Sequence, residues 1–218
     1  MLDRSSRASL LAVALACAPF AASAADYTQA AGSTLQFTGS YQGDAFSGRF
    51  PGFATTLRFD PQALATSRLD VAIPITTVTT GNEDYDGEMR GTAFFDSKRF
   101  PAARYTATKF RALGGNRYAA DGTLSLHGIS KPVVLAFTWT PGAKPVLAGK
   151  ATVKRLEFNI GGGEWNDTEL LPDEIAVTTK VVLVPAVQPT KARNAASSKG
   201  QSSSASAASS RNTGTRAP

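Results

Sequence analysis

Hydrophobic and polar residues alternate through most of the middle of the chain, and this pattern limits the fold more than any other feature. Successive side chains of a β-strand point to opposite faces of a sheet, so a two-residue repeat marks a strand with one apolar face. The clearest apolar series are Leu35, Phe37, Gly39 and Tyr41; Leu69, Val71, Ile73 and Ile75; Val133, Leu135, Phe137 and Trp139; and Ile175, Val177, Thr179, Val181 and Leu183. The sequence therefore predicts an all-β domain.

Turn-forming residues between these series indicate how the strands are connected. Asp60-Pro61, Gly114-Gly115-Asn116 and Pro141-Gly142 each follow an alternating run. Such short links join antiparallel neighbours, because parallel strands need long crossover connections. Only residues 82–89 and 97–100 have helical character. About eight antiparallel strands with little helix form either a closed barrel or two packed sheets, and periodicity alone does not choose between them.

The two ends of the chain differ from its middle in composition. Residues 1–24 contain two arginines, an uncharged apolar run and the sequence Ala22-Ser23-Ala24, which together are typical of a cleaved secretory signal peptide. Residues 187–218 are rich in Ser and Ala and carry five basic residues. We expect this tail to be disordered, because it cannot bury enough apolar area to fold. Residues 25–186 are then one domain, and lipid attachment at Cys17 is the less favoured alternative to its removal with the signal.

The formal net charge of +6 originates outside the predicted domain. Two of the 23 basic residues lie in residues 1–24 and five in residues 187–218, while one of the 17 acidic residues lies in residues 1–24, so residues 25–186 hold 16 of each. A neutral domain disfavours a nucleic-acid-binding function. The basic tail is a candidate for transient contact with a membrane or envelope polymer, and a solubilising extension is the simpler interpretation.

Residues that carry catalysis or bind metals are scarce in the domain, which has no cysteine and a single histidine, His127. Nucleophilic, redox and zinc chemistry draw mainly on Cys, His and clustered carboxylates. We interpret His127 as a turn residue between two strands. The acidic run at residues 83–88 lacks the terminal glutamate of a calcium loop, because Phe95 stands there, so an exposed helix with Met89 facing inward is favoured. We predict no catalytic residue, no metal ligand and no cofactor.

Five short motifs occur in order along the domain: GDAFSGRF at residues 43–50, FDP at 59–61, GTAFFD with FP at 91–101, GTLSLHGISKPV at 122–133 and FNIGGGEW at 158–165. Together they resemble the YceI-like family of bacterial periplasmic proteins. The sequence departs from the common pattern where Arg155-Leu156-Glu157 leads into Phe158 and where Phe94-Phe95 replaces a tryptophan, and both changes keep a large aromatic residue. The resemblance implies an eight-stranded antiparallel lipocalin-like barrel in the periplasm. It also implies that the barrel holds a polyisoprenoid or other long-chain lipid, such as a quinone.

Large aromatic residues are the first candidates for lining such a cavity, since burying apolar surface gains roughly 25 cal/mol per Å². The predicted lining residues are Phe37, Phe46, Phe50, Phe53, Phe94, Phe95, Phe110, Phe137, Trp139 and Phe158. Ordinary core packing is the competing interpretation for each of them. Arg49, Glu164 and Trp165 are predicted to lie at the rim, and Arg58 and Lys98 are further candidates for contact with a polar head group.

The leading hypothesis from the sequence is a non-enzymatic periplasmic protein that carries or sequesters a long amphiphilic lipid. The main alternative is an envelope stress-response or interaction protein with a packed barrel and a partner-binding basic tail. A third hypothesis is isomerase or hydrolase activity on a bound lipid by scattered carboxylates. The sequence leaves open whether the protein is a monomer or a homodimer.

Overall fold

Ten strands and one α-helix follow one another along residues 25–186, the part of the chain that the computed structural model describes. The strands are β1 (Ala25–Gln29), β2 (Thr34–Tyr41), β3 (Asp44–Arg49), β4 (Ala54–Phe59), β5 (Arg68–Pro74), β6 (Ala102–Gly114), β7 (Arg117–Leu126), β8 (Ile129–Thr140), β9 (Val146–Lys154) and β10 (Glu174–Pro185), and the helix is α1 (Glu83–Arg90). Short 3₁₀ helices occupy Leu64–Thr66, Ile75–Thr77, Arg155–Phe158 and Gly163–Trp165. The predicted signal peptide, Cys17 and the predicted tail lie outside the described residues.

The strands form one antiparallel sheet that closes on itself. Strand β10 pairs with β9 along one edge, and along its other edge it pairs first with β2 and then with β1. Strands β3 and β4 pair in turn with β2 and β1. Strands β1 and β2 therefore act as one interrupted strand, β3 and β4 act as another, and the closed structure is an eight-stranded barrel. The prediction of an eight-stranded antiparallel barrel is confirmed.

Glycine allows both interruptions of these long strands. Gly32 lies between β1 and β2 with φ +87°, and Gly52 lies between β3 and β4 with φ +77°. Residues with a side chain rarely adopt such values, because the Cβ atom would clash with the backbone. The chain can therefore bend at both points without losing its place in the barrel.

The helix predicted near residues 82–89 is present as α1. The Oδ1 atom of Asn82 caps it by accepting hydrogen bonds from the backbone N–H groups of Asp84 at 2.9 Å and Tyr85 at 3.3 Å. The second predicted helical segment, residues 97–100, is a turn instead. The backbone N–H groups of Arg99 and Phe100 both donate to the carbonyl of Asp96, and a proline follows at position 101. Proline disfavours helical backbone in the residue before it, so the turn does not extend.

Long connections lie at one end of the barrel and short ones at the other. The β5–β6 connection, which contains α1, and the β9–β10 connection lie at the same end as the β7–β8 hairpin turn, and we call this the loop end. The short β6–β7 and β8–β9 connections lie at the opposite end, which we call the turn end. The two ends of the interior differ accordingly.

Aromatic side chains fill the interior at the turn end. They are Tyr27, Phe59, Phe110, Tyr118, Phe137 and Trp139, and we call them the aromatic plug. Phe59 lies at the centre, with its ring centroid 4.9 Å from that of Trp139 and 6.0 Å from that of Phe110. These spacings are typical of favourable ring pairs. The turn end is therefore solidly packed.

Candidate functional site

Beyond the aromatic plug the barrel encloses a cavity of about 180 Å³. Every second residue of β10 from Ile175 to Val181 lines it, as do Leu69, Val71 and Ile73 on β5. At roughly 3.3 Å per residue, the stretch of β10 between its first and last lining residues is about 20 Å long. The cavity is therefore long and narrow, and its wall is almost wholly apolar.

Aromatic residues and one methionine surround the cavity at the loop end. Phe46 and Phe50 contribute from β3 and the residue after it, Met89 from α1, and Phe94 and Phe95 from the segment that follows α1. The Phe50 ring lies 5.8 Å from that of Phe95, which joins the β3 side of the mouth to the α1 side. Met89 faces inward, as the sequence predicted.

Arg155 is a buried cation at the loop end, with 3% of its surface exposed. A guanidinium group has five N–H donors, and here each has a backbone carbonyl partner. The accepting carbonyls belong to Pro172 for Nε, Ile160 and Gly161 for Nη1, and Trp165 and Leu171 for Nη2. Burial lowers the pKa of Arg155 from its ordinary value, and the charge of nearby Asp173 opposes this shift. Arg155 thus holds the β9–β10 connection together and keeps no free donor for a ligand.

Sequence and structure comparisons agree with this architecture. The family model of the YceI-like domain matches residues 27–183, most of the chain. The chain belongs to the YceI-like family. A UPF0312 protein from Vibrio vulnificus is 30% identical over 181 residues, which cover 75% of this chain and 96% of the relative. A UPF0312 protein from Shewanella denitrificans is 34% identical over 143 residues, covering 63% of this chain and 74% of the relative.

Two solved structures share the YceI-like fold. BcnA from Burkholderia cenocepacia superposes with a TM-score of 0.66 at 28% identity, covering 69% of this chain and 95% of BcnA. A polyisoprenoid-binding domain from Saccharophagus degradans has a TM-score of 0.58 at 16% identity, covering 74% of this chain and 98% of that domain. At that identity the second likeness supports the fold alone.

The structure divides the ten predicted lining residues of this YceI-like barrel into two sets. Phe37, Phe46, Phe50, Phe94 and Phe95 line the cavity. Phe110, Phe137 and Trp139 belong instead to the aromatic plug, and Phe53 and Phe158 are buried in the core without being part of the cavity wall. The reason is that one strand face serves both regions. On β8, for example, Val133 and Leu135 reach the cavity, while the next two inward residues fill the turn end.

Aliphatic residues that were not among the predicted site residues form much of the cavity wall. Val71, Ala151, Val153 and Val177 are examples from three strands. For Val71 and Val177 the signal was present in the sequence, because the alternation places both on the apolar face of their strands. The prediction selected lining residues by the size of their rings and gave less weight to which strand face they occupy. The cavity exists because smaller side chains on that face leave space inside the barrel.

The predicted rim residues do not lie together. Glu164 and Trp165 line a second, smaller cavity of about 160 Å³ at the loop end, and Leu171 lines both cavities. Arg49 is exposed on β3 and lines neither cavity, although its backbone bonds to that of Thr79. The rim beside Trp165 therefore presents a carboxylate and an indole ring, not a guanidinium group.

Of the two further head-group candidates, Arg58 is at the wrong end. It is the penultimate residue of β4, at the turn end, where it forms an ion pair with Asp26 at 2.7 Å. Lys98 lies at the loop end, in the turn at residues 97–100. Of the two, Lys98 alone therefore lies at the same end of the barrel as the cavity mouth.

His127 is a turn residue, as predicted. His127 and Gly128 have φ values of +51° and +74°, which are typical of a tight two-residue hairpin turn. Nδ1 of His127 lies 3.0 Å from the carbonyl oxygen of Phe158, and the imidazole ring packs on the ring of Phe100. These contacts tie the hairpin to the two long connections at the loop end.

Within residues 25–186 no three His, Cys, Asp or Glu side chains are grouped closely enough to hold a metal ion. Over the same range, none of the helices has the length and apolar character needed to cross a membrane.

Proposed function

We propose that this YceI-like protein binds a polyisoprenoid or another long-chain lipid inside the barrel, and that it carries or sequesters the lipid without a chemical step. The observation that carries the proposal is the long cavity with an almost wholly apolar wall. An apolar chain that enters it gains roughly 25 cal/mol for each Å² of surface removed from water. No charged contact is needed for such binding.

The size of the cavity favours a slender ligand. Engineered apolar cavities of about 150 Å³ in other proteins bind single benzene molecules. The cavity here is of similar volume but extends along four inward positions of β10. A single extended chain suits this shape better than a fused-ring lipid or a lipid with several chains.

A protein with the same fold binds this class of ligand. The Saccharophagus degradans domain with this fold is a polyisoprenoid-binding domain. Together with family membership, this makes a linear isoprenoid our first candidate. It also favours a binding protein over an isomerase or hydrolase.

The loop end provides the entrance in this proposal, and its charge bears on the polar head of the ligand. Residues 156–174 contain six acidic residues and no Lys or Arg. The charge of Arg155 next to this segment is buried. A strongly anionic group would be repelled there, so we propose that the ligand carries no strong negative charge at this end. We further propose that the protein acts in the periplasm, in line with the predicted signal peptide.

The alternative of a packed barrel that works through its basic tail requires a filled interior. The cavity inside the barrel therefore does not favour this alternative. Deletion of residues 187–218 separates the two proposals. A lipid carrier keeps its ligand and its function without the tail, whereas a protein that works through the tail loses its function.

Native mass spectrometry of the protein purified from its own host tests the proposal. We expect a co-purified lipid on the wild-type protein and none on Phe50→Arg, which places a charge at the cavity mouth. Ser47→Arg is the matched control, because Ser47 is exposed on β3, and this variant should keep the lipid. Both variants should retain the circular dichroism of a β-barrel. Wild-type amounts of lipid on a folded Phe50→Arg protein would overturn the proposal.

A further inference from the structure

Four residues with oxygen or nitrogen atoms in their side chains line the apolar cavity: Thr55, Tyr105, Arg155 and Thr179. Three of them are already engaged within the protein. The Tyr105 hydroxyl donates to the carbonyl of Ala120 at 2.9 Å, and burial raises its pKa. The Thr179 hydroxyl donates to a backbone carbonyl of β2 at 2.9 Å. Arg155 uses all five of its donors on carbonyls of the β9–β10 connection.

Thr55 is different from the other three. It is 2% exposed, and its hydroxyl oxygen has no hydrogen-bond partner within the described part of the chain. A buried hydroxyl without a partner lowers stability, because it has given up its bonds to water and received none in return. Such a group is explained if a ligand provides the missing bond.

The position of Thr55 places this hydroxyl well inside the barrel. Thr55 pairs across the sheet with Val71, another residue of the cavity wall. It precedes Phe59 of the aromatic plug by four residues, or about 13 Å along an extended strand. Rotation about its Cα–Cβ bond exchanges the hydroxyl and methyl groups between staggered positions, which allows the hydroxyl to turn toward a ligand.

We infer that Thr55 forms a hydrogen bond with an uncharged oxygen of the bound lipid. This inference rests on the proposed function and adds the chemistry of the ligand: a chain with a hydroxyl, ether or carbonyl oxygen inside the barrel. A plain hydrocarbon would leave the Thr55 hydroxyl unpaired. A charged group at this depth would find no carboxylate and no free N–H donor among the lining side chains.

The test compares two isoprenoids of equal chain length, farnesol and farnesene, which differ in the presence of a hydroxyl group. Each is delivered from cyclodextrin to the full chain, and its affinity is measured by competition with an apolar fluorescent reporter. Thr55→Val removes the hydroxyl and keeps nearly the same shape, and Thr55→Ser keeps the hydroxyl. We expect Thr55→Val to weaken farnesol binding about fivefold, the effect of one lost hydrogen bond, and to leave farnesene binding unchanged. Thr55→Ser should bind farnesol within about twofold of the wild type.

The ligand-free proteins supply a second readout. Thr55→Val should unfold at a higher temperature than the wild type, because it no longer buries an unpaired hydroxyl. Unchanged farnesol affinity in Thr55→Val would overturn the inference, and so would an equal loss for both isoprenoids, which indicates altered packing. If the wild type bound neither isoprenoid, the proposed function itself would fail. If the wild type bound both isoprenoids and Thr55→Val left the farnesol affinity unchanged, this inference would fail and the proposed function would stand.

Discussion

The two ends of the barrel interior are built from the same strands, yet one end is filled and the other is hollow. Strand β8 shows the contrast, since Phe137 and Trp139 fill the turn end and Val133 and Leu135 leave space toward the loop end. All four residues lie on one face of the strand. The cavity therefore arises from the distribution of side-chain volume along each strand, and the closed barrel alone does not determine it.

Truncation of the central ring of the aromatic plug should have the largest effect on stability. Phe59 contacts four other rings, and Phe59→Ala should lower the free energy of unfolding by about 3–5 kcal/mol. Phe50→Ala, the same truncation at the mouth of the existing cavity, should cost only about 1–2 kcal/mol, because Phe50 is half-buried and borders space that is already empty. Urea unfolding measures both values. Equal losses would show that the two ends are packed alike.

Replacement of Arg155 should disturb the loop end selectively. Arg155→Ala leaves five buried carbonyls without their donors, and we expect a loss of about 2–4 kcal/mol. Hydrogen exchange should accelerate at residues 155–173 and stay slow in the aromatic plug. Arg155→Lys should restore only part of the stability, because an ammonium group has three donors. Faster exchange spread evenly over the barrel would contradict this account of Arg155.

Acid should weaken the loop end through Asp86, with a smaller effect. The Asp86 carboxylate accepts hydrogen bonds from the Thr79 hydroxyl at 2.6 Å and from Thr80, and these bonds lower its pKa. A carboxylate with a lowered folded-state pKa stabilises the protein above its unfolded-state pKa, and this contribution is lost as pH falls through the folded-state value. Wild type should therefore have a higher Tm than Asp86→Asn at pH 6, and the difference should begin to shrink as pH falls below about 4, the ordinary pKa of Asp, and vanish below the lowered folded-state pKa. A constant difference across this range would exclude a role for ionised Asp86.

The alternation and the turn residues were sufficient to predict the antiparallel strands and their apolar faces, and the ordered motifs predicted the barrel. Which half of the interior is hollow could not be predicted, because Leu135 and Phe137 share one face and differ only in size and in distance from the loop end. The role of Arg155 was also hidden. Its five carbonyl partners are backbone atoms, which any residue provides, and only the folded connection brings them together.

A pair of neighbouring substitutions on β9 tests most directly whether the hollow end is the binding space. Ala151 lines the cavity, and Thr152, the next residue, is exposed on the outside of the barrel. Ala151→Phe should fill much of the cavity, and Thr152→Phe adds the same ring outside it. Native mass spectrometry of both variants, purified from the same host, measures the fraction of protein that carries lipid. We predict near-complete loss of lipid from a folded Ala151→Phe protein and wild-type occupancy of Thr152→Phe. Wild-type occupancy of folded Ala151→Phe would contradict the proposal that the cavity holds the ligand.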